Sequence, residues 1–108
     1  MHLLASQDEV VQIVSHPRTL TTDAKIQRQM SKRGWTETEI QRTVAHPHRT
    51  ARATDRRGYT DGTGEPATAY FDTDGNYVVV NDRAGSIVQV SSKNNPNWRI
   101  PDDFVFDE

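Results

Sequence analysis

The chain has no cysteine, which removes disulfides and thiolate metal sites from consideration and says nothing about compartment. Apolar residues are scarce at 33%, lean for a globular protein, so the core must be thin. A thin core favours a flat sheet covered by helices on one side. No apolar run approaches the ~20 residues that cross a bilayer. The opening Met1-His2-Leu3-Leu4-Ala5 is too short for a signal-peptide core, and the expectation is a soluble chain. Also missing are a Ser-His-Asp set and a glycine-rich phosphate loop, and the four histidines are too scattered to hold a metal. A length of 108 residues is that of one domain, burying roughly two-thirds of its unfolded surface.

Charge is nearly balanced, at −2 overall, but unevenly distributed. Residues 1–60 carry ten Lys/Arg against six Asp/Glu, and residues 61–108 carry three against nine. A phosphodiester responds to a local basic patch within a Debye length of roughly 8 Å, not to the overall pI. The asymmetry therefore permits a nucleic-acid face on an acidic protein, and it is equally compatible with two ordinary solvated halves.

Helix punctuation is frequent in the first half. Ser6-Gln7-Asp8-Glu9 reads as a capping box, with Val10, Val11, Ile13 and Val14 after it and His16-Pro17 as a stop; this predicts a helical extension over residues 1–20. Thr36-Glu37-Thr38-Glu39 is a second capping box, followed by Ile40, Val44 and a His46-Pro47 stop. The two segments match at an offset of 30 positions, best read as convergence on one start-and-stop grammar. Between them, Thr22 or Asp23 caps a helix over Ala24 to Arg33, with Gly34 as its left-handed terminator. Residues 48–66, with Arg49, Arg52, Arg56 and Arg57, read as a mobile basic loop, with room for a short strand near 50–54. Strands then follow at Ala67–Phe71, Tyr77–Val80 and Ile87–Val90, joined by Asp72-Thr73-Asp74-Gly75 and by an Asn81–Gly85 hairpin turn. Helices first and a meander afterwards predict an α+β fold with an antiparallel sheet.

Several residues could carry chemistry. Lys25, Gln29 and Lys32 fall within about 60° on a helical wheel, and Arg33 lies roughly 12 Å beyond Lys25 along the axis. That spacing tolerates a shared phosphate without demanding one, and an ordinary basic helix face is the competing reading. Arg56 and Arg57 are candidates to grip phosphates, or belong to a solvated linker. His46 and His48 beside this cluster could serve as acid and base, although histidine before proline is more often a surface helix stop. Trp98 can stack on a base or pack across the sheet. Trp35, directly after the helix stop, reads as core.

Two blocks carry a resemblance to a known family. The first is Lys25-Ile26, Gln29-Met30, Arg33-Gly34-Trp35-Thr36-Glu37, Ile40 and Thr43-Val44. The second is Pro66-Ala67-Thr68, Tyr70, Gly75, Tyr77-Val78-Val79-Val80-Asn81-Asp82-Arg83, Gly85, Gln89, Ser91, Lys93, Pro96 and Trp98. Together they resemble the transfer-RNA-cutting ribonuclease domains of the colicin E-five type, over about Asp23 to Trp98. The chain accordingly divides into residues 1–20, outside the resemblance, and 21–108, a colicin-type ribonuclease domain.

The resemblance implies a small twisted antiparallel sheet with the N-terminal helices on one face, as in barnase and the RelE-type toxins. It implies metal-independent cleavage, without cofactors, of tRNAs for Tyr, His, Asn and Asp in the anticodon loop. The ribose 2′-hydroxyl attacks, leaving a 2′,3′-cyclic phosphate and a 5′-hydroxyl. The family's key cations fall on Lys25 and Arg33. Its substrate contacts fall around Arg56, Arg57, Val90 and Lys93, and Gln29, Tyr77 and Trp98 join them as candidate contacts. His46 and His48 are candidate accessories. The implied partners are tRNA and a cognate immunity protein or antitoxin, with no membrane segment and the bacterial cytoplasm as the site of action. Two alternatives stay open: an RNA-binding module of the same fold without cleavage, and a nuclease toxin acting on a different RNA. The loop after Arg57 is shorter than the family's and lacks a lysine found there, and Ala45–Arg52 also departs from the pattern.

Overall fold

The structure, a computed structural model, describes residues 4–5, 11–15 and 18–106. Among the described residues the elements follow in the order β1 (Leu4–Ala5), β2 (Val11–Ser15), β3 (Arg18–Thr22), α1 (Ala24–Lys32), α2 (Glu37–Ala45), β4 (Arg49–Asp55), β5 (Glu65–Phe71), β6 (Tyr77–Asn81), β7 (Ile87–Val90) and β8 (Val105–Phe106). Strands β4 to β8 form an antiparallel sheet in the order β7-β6-β5-β4-β8, and β1-β2-β3 form a smaller one. The α+β class and the antiparallel sheet agree with the sequence reading.

Both helices start and stop where their caps direct. The Asp23 carboxylate accepts from Ile26 N at 2.8 Å to open α1. Gly34 closes it at φ +86°, a conformation that costs an L side chain energy. The capping box of α2 is complete: Glu39 N donates to Thr36 Oγ1 at 3.2 Å, and Thr36 N donates to Glu39 Oε1 at 2.9 Å. His46 is the C-cap of α2.

Each face of the large sheet buries a separate cluster. On the helix side, Ile26 and Met30 of α1, Trp35, and Ile40 and Val44 of α2 pack with Val78, Val80, Ile87 and Val90. On the other side lie Ala51, Ala53, Ala67, Ala69, Phe71, Tyr77 and Val79. The small alanines of β4 and β5 leave room there for Trp98, Phe104 and Phe106, which pack against this cluster from the C-terminal segment. β6 lies between the two clusters, and all five of its residues are buried, hence its unbroken apolar run.

Two expectations need correction. Val11–Ser15 is a strand, not part of a helix; its β-branched Val11, Ile13 and Val14 suit a pleated surface better than a helical turn. Ser6–Glu9 and His16-Pro17, which supplied the helix signals, lie outside the described residues. Leu20, at the edge of the expected extension, is completely buried in the helix-side core. The basic segment 48–66 is loop only in its second half: the short strand expected near 50–54 is present and longer, β4 pairing with β5 in register from Arg49↔Phe71 to Asp55↔Glu65, while Arg56 and Arg57 lie in the connection beyond it. Alternation of buried Ala51, Ala53 and Asp55 with more exposed Arg52 and Thr54 is the strand signal that the arginines obscured.

Candidate nucleic-acid interface

The C-terminal end of α1 is wrapped by the chain that leaves β7. Lys93 N donates to Arg33 O at 2.9 Å, Asn94 Nδ2 to Lys32 O at 3.2 Å, and Trp35 Nε1 to Ser91 O at 2.7 Å. These bonds fix Arg33 relative to the sheet. Its Nη1 donates to Gln29 Oε1 at 3.0 Å and to Val90 O at 2.9 Å. Its guanidinium carbon lies 4.8 Å from the centroid of the Trp98 ring, a cation–π arrangement. Trp98 is held in turn, its Nε1 donating to the Tyr77 hydroxyl at 2.9 Å. Among the described residues neither Nε nor Nη2 of Arg33 has a partner. Three of its five N–H donors are thus left for an incoming anion, on the edge that suits a phosphate's two oxygens.

Gln29 and Arg33 line one wall of an open depression of about 400 Å³. It is lined further by Thr54 of β4 with Arg56 and Arg57 just beyond that strand, and by Val88 and Gln89 of β7. Val88 and Gln89 lie at an irregularity in the β6–β7 register, where Val79 opposes Gln89 and Val80 opposes Ile87. Arg56 Nη1 pairs with Asp103, and its Nε donates to Gly62 O at 3.3 Å. Arg57 forms a two-pronged pair with Asp55, Nε to Oδ1 and Nη2 to Oδ2, both at 2.9 Å. Asp55 is 5% exposed. The Arg57 guanidinium is the main influence holding its carboxyl at about 2, below the usual 3.8, and it outweighs the opposing effect of burial.

The structure brings Gln29, Arg33, Arg56 and Arg57 together, and Trp98 sits against Arg33. Lys25 lies two turns earlier on the same stripe of α1; it is exposed and does not line the depression. Val90 is completely buried and offers Arg33 only its carbonyl. Tyr77 is also completely buried, so its side chain supports Trp98 and cannot touch a substrate directly. Lys93 turns its ammonium to Glu39 at 2.7 Å and over the Trp35 ring at 4.2 Å, holding the Glu39 carboxyl below its ordinary value. Lys93 and Trp98 also border a larger depression, of about 520 Å³, with Asn76, Ser91 and Asn95. His46 and His48 sit in a third depression with Arg42 and Asp72, sharing no lining residue with that of Arg33.

Sequence reasoning passed over Asp55, Thr54 and Val88, and it noted Asn81 and Gln89 only as part of the family resemblance. Asp55 was detectable: it continues the inward alternation of Ala51 and Ala53, which places a carboxylate at a buried position beside two arginines.

Arg33 is thus half-buried and borders a depression that two further arginines line, with the Trp98 ring against its guanidinium. The chain belongs to the Colicin E5 ribonuclease domain family, whose model matches residues 22–103, which makes it a ribonuclease domain. It is 42% identical over 85 residues to Colicin-E5 of Escherichia coli, covering 73% of this chain and 46% of that protein. It is 46% identical over 84 residues to the tRNA nuclease CdiA of Burkholderia pseudomallei, covering 74% of this chain and 6% of that protein. The chain thus spans about half of one curated relative and a small part of the other.

Proposed function

We propose that this chain is an endoribonuclease toxin domain that cuts tRNA in the anticodon loop, at tRNAs for Tyr, His, Asn and Asp. The observation that carries this reading is Arg33, pinned through Nη1 and stacked on Trp98, with its remaining donors open beside the arginine-lined depression.

In the reaction the ribose 2′-oxygen forms a bond to the adjacent phosphorus and loses its proton to solvent. The P–O5′ bond then breaks and the 5′-oxygen takes up a proton. The products are a 2′,3′-cyclic phosphate and a 5′-hydroxyl. A guanidinium does not give up its proton at neutral pH, so Arg33 acts by stabilising the negative charge that builds on the phosphorane oxygens. Lys25 lies outside the depression, so it donates a proton to the leaving 5′-oxygen only where the RNA backbone runs from Arg33 along α1 toward its N-terminus. Unstacked anticodon bases are selected by hydrogen bonds and by stacking on Trp98, which Tyr77 holds in place. The natural antagonist is an acidic immunity protein that covers the cationic surface, and the site of action is the cytoplasm of a target bacterium.

Incubation with bulk tRNA, followed by end mapping, tests the reading. The expected products are fragments ending in the anticodon loop with cyclic phosphates; RNA left intact at stoichiometric protein would overturn it. Arg33→Lys keeps the charge but loses the planar fork and the stacking, so cleavage should fall by roughly 100-fold or more. A binding module without cleavage is the second reading, favoured by the exposed position of Lys25 outside the depression. It predicts that Lys25→Ala changes RNA affinity with no turnover to lose.

A further inference from the structure

Arg57 lines the depression, yet the protein has already used most of it. Four of its five N–H donors are engaged: two with Asp55, one with Ser86 Oγ at 3.0 Å and one with Ile87 O at 3.4 Å. Asp55 is tied further, since Asn81 Nδ2 donates to its Oδ2 at 3.0 Å and to Glu65 Oε1 at 2.8 Å. Asn81 Oδ1 accepts from Arg83 N and Ala84 N, both at 2.9 Å, and so shapes the β6–β7 turn. The network therefore spans from the end of β4 to the start of β7. The segment after Arg57 leaves the sheet against it, and Gly64 passes so close that an added Cβ would lie 2.3 Å from Asp55 O.

We infer that Arg57 is a positioning residue and not a phosphate contact: with Asp55 and Asn81 it holds the Arg56 wall of the cleft at a fixed distance from the β7 wall. The Asp55 carboxylate already neutralises its charge, so it adds little to the attraction for RNA. It acts on the reaction by keeping Arg56, Val88 and Gln89 in place around the depression that Arg33 lines. The inference rests on the RNA-cleaving reading and reassigns one of that reading's candidate contacts.

The test measures binding of an uncleavable 2′-deoxy-substituted anticodon stem-loop against salt concentration, together with single-turnover cleavage of the matching RNA. Each phosphate contact adds about −0.7 to the slope of log affinity against log salt for single strands. Arg57→Gln should slow saturated cleavage at least 10-fold and leave the slope unchanged. Asp55→Asn should slow cleavage to a similar extent, and the double variant should be no worse than either single one. Arg57→Lys, which keeps one donor to Asp55, should recover part of the rate. A slope made shallower by about 0.7 in Arg57→Gln overturns the inference, as do tighter RNA binding in Asp55→Asn and additive losses in the double variant. Should these variants fail to fold, the Arg57 Nε–H signal of the wild-type protein decides: it stays unshifted on RNA binding if Arg57 is a strut and moves if it grips phosphate. Wild-type protein that neither binds nor cuts RNA defeats the functional reading itself, and the inference with it.

Discussion

Arg33 and Arg57 border the same depression and differ in how many of their donors the protein consumes, two in one case and four in the other. Sequence gives both an equal charge; only the fold makes one available and the other committed. The resemblance to a known family pointed to Arg33, while the helical stripe of Lys25, Gln29 and Lys32 was equally compatible with an ordinary basic face. Nothing local announced that Asp55 would claim Arg57, because their pairing depends on β4 burying one face. The pair has a pH signature. The Asp55 carboxyl titrates at about 2 in the folded protein against 3.8 ordinarily. Its stabilisation is therefore fully present above about pH 4 and is lost as the pH falls through about 2. A displacement of that size corresponds to roughly 2 kcal/mol. Asp55→Asn should be the less stable protein at pH 6, and urea titrations from pH 6 to 2 should show its deficit closing as the acid protonates wild-type Asp55. A deficit that stays constant across the range would mean the carboxylate is not stabilised by its ion pair.

At the scale of elements, the helices were readable and the strands only partly so, for a physical reason. A cap is a local device: Asp23, Gly34 and the Thr36–Glu39 box act on backbone groups within four positions of themselves, so their sequence suffices. A strand depends on its neighbours, and β4 acquires its identity from seven residues of β5 lying opposite it. Its Arg-Thr-Ala alternation looks like loop until the Ala face is covered. The same limit explains Val11–Ser15. The helix grammar around it matched that of Thr36 onward, but pairing with β3 prevails over local preference. The capping box also reaches beyond its own helix, because Glu39 accepts from Thr36 on one oxygen and from Lys93 on the other. Thr36→Ala should cost about 1 kcal/mol of stability, seen as a lower urea midpoint with an unchanged slope. Thr36→Ser should be close to neutral. Equal losses in the two variants would show that the methyl group, not the hydroxyl, matters here.

For the whole molecule, the sheet has two buried faces although the composition argued for one. The second is closed by aromatic side chains from a segment that reads as polar and irregular: Phe104 lies 5.1 Å from Tyr77, and Phe106 lies 5.5 Å from Phe71, measured between ring centroids. Phe106 also lies under the Arg49 guanidinium at 3.9 Å, and its strand pairs with β4 through Ala51 and Arg52. The match to the family model ends at residue 103, yet the core continues to Phe106. This cover also joins the acidic second half to the basic first half, since Asp103 reaches Arg56 at the rim of the cleft. Stability and the site are thus coupled through one short segment. Phe106→Ala should remove ring contacts and loosen β8; for a half-buried phenylalanine the cost is about 2 kcal/mol, below the range for a fully buried one. In a domain of this size that lowers the thermal midpoint by at least about 5 °C. Phe106→Leu, which refills most of the volume, should recover more than half of the loss. A midpoint unchanged in Phe106→Ala would mean that the C-terminal segment merely rests on a sheet that is stable without it.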